Sequence, residues 1–403
     1  MVQEKPMKKG GFIVVHPTGN NFVRSLLKEL DEQKKLIRFF TTIGVGRKAK
    51  FPFNTFRVRR GYDIPDSKIS RSWKNELTRL VWRGNQQSKR EMIDRSYKLL
   101  DKRVAAELTK NSTNVIHAYE DGAADSFQRA KELGIRCSYE LPIAHWKTVR
   151  HLLSQESERY PEWEPTLEST REPEEKLLRK EKELHLADCI ICPSNFVKQS
   201  IPKELREKVT CKIVPFGSPV STQANTCPKN RKTGPLKILF VGSMSQRKGL
   251  ADLFMAMRML KGENVKLSIL GQPSMPMEFY RKQFSDFTYF PPSSNQVVTR
   301  IMQEHDALVL PSIIEGRALV QQEALSCGLP VITTPNAGGD DLIEEGMTGH
   351  LVPIRSPKMI AEKIMALVEN KEYLYDLKHY CMEKAKTYTW KSYSETIIET
   401  NYY

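Results

Sequence analysis

Residues 306–342 have the sequence DALVLPSIIEGRALVQQEALSCGLPVITTPNAGGDDL, which decides the fold of this chain. The continuous apolar run Ala307–Leu310 predicts a buried strand of a parallel sheet. A loop at 311–316 leads into a predicted helix over 318–326, and a second strand follows at 330–333. Strand, loop, helix and strand form one βαβ unit. In such units, ligands bind beyond the carboxyl ends of the strands, where the loop meets the helix.

Two glutamates, Glu315 and Glu323, frame the start of this helix. They are separated by about two helical turns, or about 11 Å. A retaining glycosidase pair needs about 5 Å, so these carboxylates cannot share a proton in that way. The amides of Ala318, Leu319 and Val320 lie between them and are expected to be free, and a helix N-terminus of this kind attracts phosphate. This pattern suits a nucleotide sugar, which has hydroxyls at both ends and charge in the middle. The alternative is two solvated glutamates on an ordinary helix.

Two motifs carry a resemblance to a known family. PSIIEGRALVQQEALSCGLPVITTPNAGG (311–339) resembles the E-x7-E region of the retaining glycosyltransferases of family 4, which have the GT-B fold. VGSMSQRKG (241–249) resembles the second landmark of that family, with Arg247 and Lys248 at its basic positions. The resemblance implies two Rossmann-like, doubly wound α/β domains facing each other across a cleft. It also implies that Glu315 holds sugar hydroxyls and Glu323 holds ribose hydroxyls.

The same resemblance implies a retaining mechanism. The acceptor would attack on the face of the leaving phosphate, which takes the acceptor proton, so no enzyme nucleophile is needed. The leaving diphosphate needs a metal or fixed positive groups. No D-x-D motif stands in a suitable loop, so Arg247 and Lys248 are expected to serve, without a metal or cofactor and with a UDP- or GDP-linked donor. The expected catalytic residues are Glu315, Lys248 and Arg247; the expected donor-binding residues are Gly19, Arg247, Lys248, Glu315, Gly316, Leu319, Val320 and Glu323. Arg317 is a hypothetical further contact to phosphate or acceptor.

The chain is expected to divide into four regions. The polar, proline-bearing stretch 218–235 reads as a linker after an N-terminal, acceptor-side Rossmann-like domain at 1–217. Alternating strands and helices predict a second such domain at 236–385, which would bind the nucleotide sugar. By resemblance, the helix at 386–403 crosses back to the N-terminal domain.

The N-terminal domain departs from the family pattern in two places. The first strand–loop–helix unit has Gly19 but lacks the usual paired glycines, so Gly19 is either a donor contact or a plain turn glycine. Family members usually end the strand at 135–141 with a cleft histidine, whereas this chain has Glu140 near that place. His145 could fill the role after a loop shift, or His117 or Glu140 could line the site. A lone histidine near a strand end is more often structural.

Charge is concentrated at one end of the 403-residue chain, whose net charge is +15. Residues 1–110 contain 26 Lys and Arg against 11 Asp and Glu, and the other 293 residues have 37 of each. This predicts a basic face for an anionic partner, either membrane lipid or an acidic acceptor, or else merely a solubilising excess. The basic stretch 70–84, with Trp73 on its apolar side, predicts a helix that either lies in a membrane interface or packs on its own sheet. No nucleic-acid-binding motif is present, so nucleic acid is not an expected partner.

The remaining composition favours a cytoplasmic enzyme, peripheral on the inner face of a membrane if the basic face binds lipid. Seven scattered cysteines suit a reducing compartment, and no apolar run approaches the ~20 residues of a membrane span. Cys189 and Cys192 fall on opposite faces of a predicted strand, which argues against a shared metal.

The sequence therefore predicts a retaining, hexosyltransferase-type glycosyltransferase. It would move a sugar from a nucleotide sugar to a glycan or lipid-linked acceptor, as in polysaccharide biosynthesis. The alternatives are a nucleotide-sugar epimerase or hydrolase of the same fold, and a catalytically decayed nucleotide-sugar-binding protein.

Overall fold

A computed structural model describes residues 10–47, 60–73, 86–110, 113–167, 172–219 and 234–402. Most of the basic stretch at 70–84 and of the linker at 218–235 lies outside these residues. The described chain contains two large parallel sheets, one from each half of the sequence, and a two-stranded pair.

The first sheet has seven strands. They are β1 (Gly11–Val15), β2 (Leu36–Thr41), β5 (Ile69–Arg71), β6 (Thr113–Tyr119), β7 (Arg136–Glu140), β8 (Cys189–Cys192) and β9 (Thr210–Ile213), while β3 (Val45–Arg47) pairs with β4 (Gly61–Pro65) beside it. Their order across the sheet is β5-β2-β1-β6-β7-β8-β9. The strand β1 is fully buried, as an apolar run covered by helices on both faces requires.

Seven helices of the described chain accompany this half. They are α1 (Asn21–Glu32), α2 (Gln86–Glu107), α3 (Ala124–Leu133), α4 (Trp146–Arg159), α5 (Glu174–Leu186), α6 (Asn195–Ser200) and α7 (Lys203–Lys208). The apolar face of α1 is buried at Val23, Leu26, Leu27 and Leu30. A 3-10 turn, Pro161–Thr166, follows α4.

The second sheet has six strands, β10 (Leu236–Val241), β11 (Val265–Leu270), β12 (Phe287–Phe290), β13 (Ala307–Leu310), β14 (Val331–Thr333) and β15 (Gly349–Leu351). Their order across the sheet is β12-β11-β10-β13-β14-β15. The helices are α8 (Leu250–Met259), α9 (Met277–Gln283), α10 (Asn295–Gln303), α11 (Leu319–Ser326), α12 (Pro357–Glu369), α13 (Lys371–Lys386) and α14 (Trp390–Tyr402). The strand predicted at 307–310 has the observed bounds, and α11 lies within the helix predicted at 318–326.

The last helix, α14, joins the two halves. It packs on α1, where the Ser25 hydroxyl donates a hydrogen bond to the Trp390 carbonyl at 2.8 Å. Its buried side chains Tyr393, Ile397 and Ile398 belong to the same core cluster as β1. The C-terminal end of the chain is thereby fixed to the N-terminal sheet.

The faces of β8 agree with the sequence pattern. Cys189 lies in one core cluster and Cys192 in the cluster on the other side of the sheet. Among the residues that the structure describes, no His, Cys, Asp and Glu side chains group as a metal site would require. No described helix combines the length and apolar character of a membrane span.

Candidate functional site

A cavity of about 490 Å³ opens beyond the carboxyl ends of β10 and β13. Five of the residues expected to bind the donor line it together: Lys248, Glu315, Leu319, Val320 and Glu323. The predicted βαβ geometry produces this convergence, because the loops after neighbouring parallel strands end on the same edge of the sheet.

The centre of the site is an ion cluster of one carboxylate and two cations. Glu315 accepts hydrogen bonds from Lys248 Nζ at 2.6 Å and from Arg247 Nη1 at 2.7 Å. The side chains of Lys248 and Glu315 are 11% and 12% exposed, and that of Arg247 is 27% exposed. Burial, partly offset by Glu315, lowers the pKa of Lys248. If the three side chains are ionised, the cluster has two positive charges and one negative charge. Its net positive charge attracts anions.

Glycines on both sides of the cations shape this cluster. Gly242, with φ +147°, directly follows β10, and a Cβ there would lie 3.4 Å from the Lys248 side chain. Gly249, with φ +73°, follows Lys248, and a Cβ there would lie 2.0 Å from the Pro311 carbonyl oxygen. Only glycine fits a left-handed position with backbone so close. The turn carrying both cations is thus held against the loop carrying Glu315.

The start of α11 supplies backbone donors. Leu319 is its first residue, and within the described chain the amides of Leu319 and Val320 make no recorded backbone hydrogen bond. The expectation that Ala318 also has a free amide is wrong, because its N–H donates to the Ala337 carbonyl at 3.1 Å. Two donors remain at a helix N-terminus, which suits phosphate.

Glu323 lies one further turn into α11 and lines the same cavity. Within the described part of the chain its carboxylate makes no hydrogen bond or ion pair, and burial raises its pKa. A half-buried carboxylate without partners is costly to ionise. Ligand hydroxyls that donate to the carboxylate would remove that cost.

The two halves of the chain meet at Gly316, next to Glu315. A Cβ on Gly316 would lie 1.7 Å from the Pro142 carbonyl oxygen, so the backbones are in direct contact. The Ser194 hydroxyl donates to the Gly316 carbonyl at 2.6 Å and caps α6 by accepting from the Val197 amide. Gly316 therefore acts as a close-approach glycine between the domains.

Arg317 has a structural role in addition to lining the cavity, so the hypothesis of a phosphate or acceptor contact stays a prediction. Its guanidinium donates to Asp341 at 2.6 Å and to the Gln322 side chain at 3.0 Å. It also reaches the Pro193 carbonyl of the N-terminal half at 3.4 Å. With its side chain 0% exposed, Arg317 joins the domains at the wall of the cavity.

His117 is buried in the sheet, so the expectation that it serves as a cleft catalyst is wrong. It is 0% exposed, and its ring nitrogens lie 3.0 Å from the Ser138 hydroxyl and 3.1 Å from the Glu140 carboxylate. Glu140, itself 1% exposed, also accepts from the Tyr393 hydroxyl of α14 at 2.7 Å. These groups hold the C-terminal helix on the N-terminal sheet.

His145 is likewise structural, which corrects the second histidine expectation. It is 1% exposed and precedes α4, where its Nδ1 accepts from the Lys147 amide at 3.4 Å. Its Nε2 lies 3.2 Å from Glu181, and burial lowers its pKa to about 4. A neutral, buried capping histidine cannot contact an acceptor.

Gly19 does not line the cavity. A Cβ there would lie 2.8 Å from the Tyr62 hydroxyl, so the glycine admits a neighbouring ring in the loop after β1. This placement favours the turn-glycine interpretation over a donor contact.

Sequence reasoning missed one wall of the cavity. One face along the whole of α10 contributes Asn295, Gln296, Val298, Thr299 and Met302. The available signal was positional: α10 immediately precedes the strand β13, so its N-terminus reaches the same sheet edge. Polar amides beside apolar side chains on this wall suit a planar ring with polar edges.

Two Rossmann-like α/β domains, with an anion-attracting cavity at the strand ends of the second, define the GT-B class. Residues 221–388 match the family model described as "Glycosyl transferases group 1". The resemblance to the group 1 glycosyltransferases is therefore confirmed.

Curated relatives agree with this assignment. The chain is 27% identical over 207 residues to an uncharacterized glycosyltransferase of Methanocaldococcus jannaschii, covering 51% of this chain and 56% of the relative. It is 26% identical to the putative colanic acid biosynthesis glycosyltransferase WcaL of Escherichia coli, covering 36% and 39%. It is 30% identical to the capsular polysaccharide biosynthesis glycosyltransferase CapM of Staphylococcus aureus, covering 35% and 38%. The chain thus spans about half or less of these relatives.

Solved structures show the fold over the whole chain. Sucrose-phosphate synthase from Thermosynechococcus elongatus has a TM-score of 0.63 at 16% identity, covering 97% of this chain and 98% of that one. HepE of Anabaena, solved in complex with UDP, has a TM-score of 0.62 at 13% identity, covering 97% and 99%. Both support the GT-B architecture.

Proposed function

We propose that this protein is a retaining glycosyltransferase that moves a sugar from a nucleotide sugar to a glycan or lipid-linked acceptor without a metal ion. One observation carries the proposal: Lys248, Glu315, two helix amides and Glu323 line a single cavity. Cations and amides suit a diphosphate, and a carboxylate on each side suits hydroxyls. This order of groups matches the order of groups in a nucleotide sugar.

The cations would also act on the reaction itself. Negative charge grows on the leaving diphosphate as the glycosidic bond breaks. Positive groups fixed in advance at that place stabilise the transition state more than the ground state. Lys248 and Arg247 are fixed by Glu315 and by the glycine-shaped turn, so they meet this requirement. We therefore assign metal-independent stabilisation of the leaving group to them.

The first experiment is thermal unfolding with a panel of UDP, GDP, ADP and their sugars in EDTA. A ligand at 100 times its Kd should stabilise the folded state by about 2.7 kcal/mol. A shift with one base would identify the donor class, and HepE, whose structure contains UDP, makes uridine the first choice. A shift that requires added Mg²⁺ would contradict metal independence, and no shift with any nucleotide would contradict the donor site.

The retaining outcome has its own test. Once a donor is identified, NMR of the transferred sugar should show the anomeric configuration of the donor. Inversion would contradict the mechanism while leaving the donor site intact. The names of WcaL and CapM make polysaccharide intermediates the first acceptors to supply.

Glu323→Gln should have opposite effects on stability and on binding. In the unliganded protein, burial raises the pKa of Glu323, so the folded state disfavours its charge. The free-energy cost of this charge is absent below the pKa of the glutamate in the unfolded chain, which is about 4.3. It is complete above the raised pKa of Glu323 in the folded protein. The variant should therefore have a higher Tm than wild type at pH 8 and an equal Tm near pH 4. Its nucleotide-induced shift should be smaller, because an amide accepts ribose hydroxyls less strongly.

Glu263→Gln is the control for this prediction, since Glu263 is exposed and distant in the fold from the cavity lining. It should leave both the Tm and the nucleotide shift unchanged. A Glu323→Gln variant with the full wild-type nucleotide shift would remove Glu323 from the donor site.

The basic N-terminal region supports a further proposal on the acceptor side. Residues 1–110 contain 26 cationic and 11 acidic residues. This surplus of positive charge would hold the enzyme at the anionic inner face of a membrane, beside a lipid-linked acceptor. Cosedimentation with phosphatidylglycerol vesicles should exceed that with phosphatidylcholine vesicles and should fall with salt. Equal binding to both would contradict it.

A further inference from the structure

The segment Trp146–Thr166, named here the clamp segment, comes from the N-terminal half but contacts the donor side. It consists of α4 and the 3-10 turn Pro161–Thr166, and it lies between β7 and β8 in sequence. Its Trp163 is 1% exposed and belongs to the core of the C-terminal domain. The indole packs against Phe279 at 4.9 Å and Tyr280 at 5.7 Å between ring centroids. The clamp segment is therefore anchored in the other domain.

The clamp segment also binds Gln246, the residue immediately before the two cations. The Gln246 amide N–H donates to the Thr166 hydroxyl at 3.1 Å. Its side-chain NH2 donates to Glu156 at 2.6 Å and to Asp252 at 3.0 Å. Its side-chain oxygen accepts from the Ala251 amide at 2.9 Å, at the start of α8. Every polar group of this fully buried side chain is thus bonded.

The two carboxylates that bind Gln246 are themselves fixed. Glu156 and Asp252 are both 0% exposed, so each needs partners to remain charged. Arg355 of the C-terminal domain donates to Glu156, and Arg159 of the clamp segment donates to Asp252 at 2.8 Å. A single NH2 group between two buried carboxylates leaves Gln246 little freedom to move.

The clamp segment also contacts the loop that carries Glu315, the carboxylate of the ion cluster. Val149, Leu153 and the adjoining Leu167 form a buried apolar cluster with Ile313 and Ile314, directly before Glu315. The loop is joined to the cations as well, because the Arg247 carbonyl accepts from the Ile313 amide at 2.9 Å. The clamp segment therefore supports both sides of the Lys248–Glu315 pair.

We propose that the clamp segment positions Arg247 and Lys248 for the donor diphosphate, and that Thr166, Glu156 and Gln246 are positioning residues. This inference rests on the proposed function. Small misplacements of fixed charges weaken ligand and transition-state stabilisation steeply. The device also links the domains, because N-terminal residues set the geometry of a C-terminal binding loop.

Thr166 offers a matched pair of variants. Thr166→Val keeps the shape but removes the hydroxyl that accepts from Gln246 and donates to the Trp163 carbonyl at 2.7 Å. Thr166→Ser keeps the hydroxyl and loses only a methyl group. Using UDP and GDP as probes in calorimetry, we expect Thr166→Val to weaken binding about tenfold and Thr166→Ser to remain within about twofold of wild type. A purely structural role would lower the Tm of Thr166→Val but leave the nucleotide affinity of the folded variant equal to that of Thr166→Ser.

Glu156 gives a second, independent pair. Glu156→Gln removes the charge that Gln246 and Arg355 bind, whereas Glu158→Gln makes the same change on the exposed face of the same helix. We expect about tenfold weaker nucleotide binding in Glu156→Gln and no change in Glu158→Gln. Equal binding in the two variants would overturn the positioning role of Glu156.

Hydrogen exchange of the amides at 245–249 makes the inference testable without a known ligand. These amides should exchange at least about tenfold faster in Thr166→Val than in Thr166→Ser, because a local restraint is lost. Equal exchange, or wild-type nucleotide affinity in Thr166→Val while Lys248→Ala binds weakly, would overturn the inference and leave the proposed function standing. Faster exchange in Thr166→Val, together with a wild-type protein that binds no nucleotide, would overturn the proposed function. It would still show that Thr166 restrains the loop at 245–249.

Discussion

Lys248→Ala is expected to lower the turnover of the donor nucleotide sugar by about 100-fold or more, the usual cost of removing a preorganised charge from a transition state. The Lys248 side chain is 11% exposed, and its ammonium group lies 2.6 Å from Glu315. Water can replace it only in part in such an enclosed position. The loss should appear mainly in kcat, because charge on the leaving diphosphate is greatest in the transition state.

The measurement is release of nucleoside diphosphate from the donor identified by thermal unfolding, with and without acceptor. Lys261→Ala is the matched control, since Lys261 is exposed in the same domain. It should keep wild-type turnover. Unchanged turnover in Lys248→Ala would end the assignment of Lys248 to the diphosphate, whereas wild-type turnover without any acceptor would favour a hydrolase or epimerase of the same fold.

Gly316→Ala is expected to destabilise the junction of the two domains and to remove most activity. Its Cβ would lie 1.7 Å from the Pro142 carbonyl oxygen and 3.3 Å from Ile143 Cα. Both are backbone atoms, so a rotamer change cannot relieve the clash. Overpacking of this kind costs about 1–3 kcal/mol even in yielding cores. The loop must move away from the N-terminal domain, and it takes the adjacent Glu315 with it.

Urea denaturation and donor turnover test this prediction together. Gly122→Ala is the control, because the nearest atom to a Cβ there is 4.0 Å away. The control should lose little of either property. A Gly316→Ala variant as stable and as active as Gly122→Ala would show that the close approach of Gly316 and Pro142 is not needed for function.

The sequence indicated the second domain more fully than the first. The strand at Ala307–Leu310 and the helix Leu319–Ser326 follow from an apolar run and from a glycine after the helix, both of which are local signals. The separation of Glu315 and Glu323 along the chain also fixed their approximate places at the helix start. In the first domain, by contrast, both histidine expectations were wrong, because the burial of His117 and His145 depends on α14 and α5 packing over them.

By itself, the sequence determined the two-domain α/β class, the motif loops and the placement of five cavity residues on one sheet edge. The alternation of strands and helices and the spacing of Glu315 and Glu323 follow from local patterns, which the backbone geometry converts into position. The pairing of the two domains and the place of Lys248 are what the family resemblance implied. Only the tertiary structure decided that Gly316 meets Pro142, that Arg317 is a bridge between domains, and that Thr166 bonds Gln246. Each of these contacts joins segments 80 or more residues apart, as for Gln246 and Thr166. Such segments come together only when whole helices and strands pack. A local sequence pattern does not show which of these distant residues will be in contact.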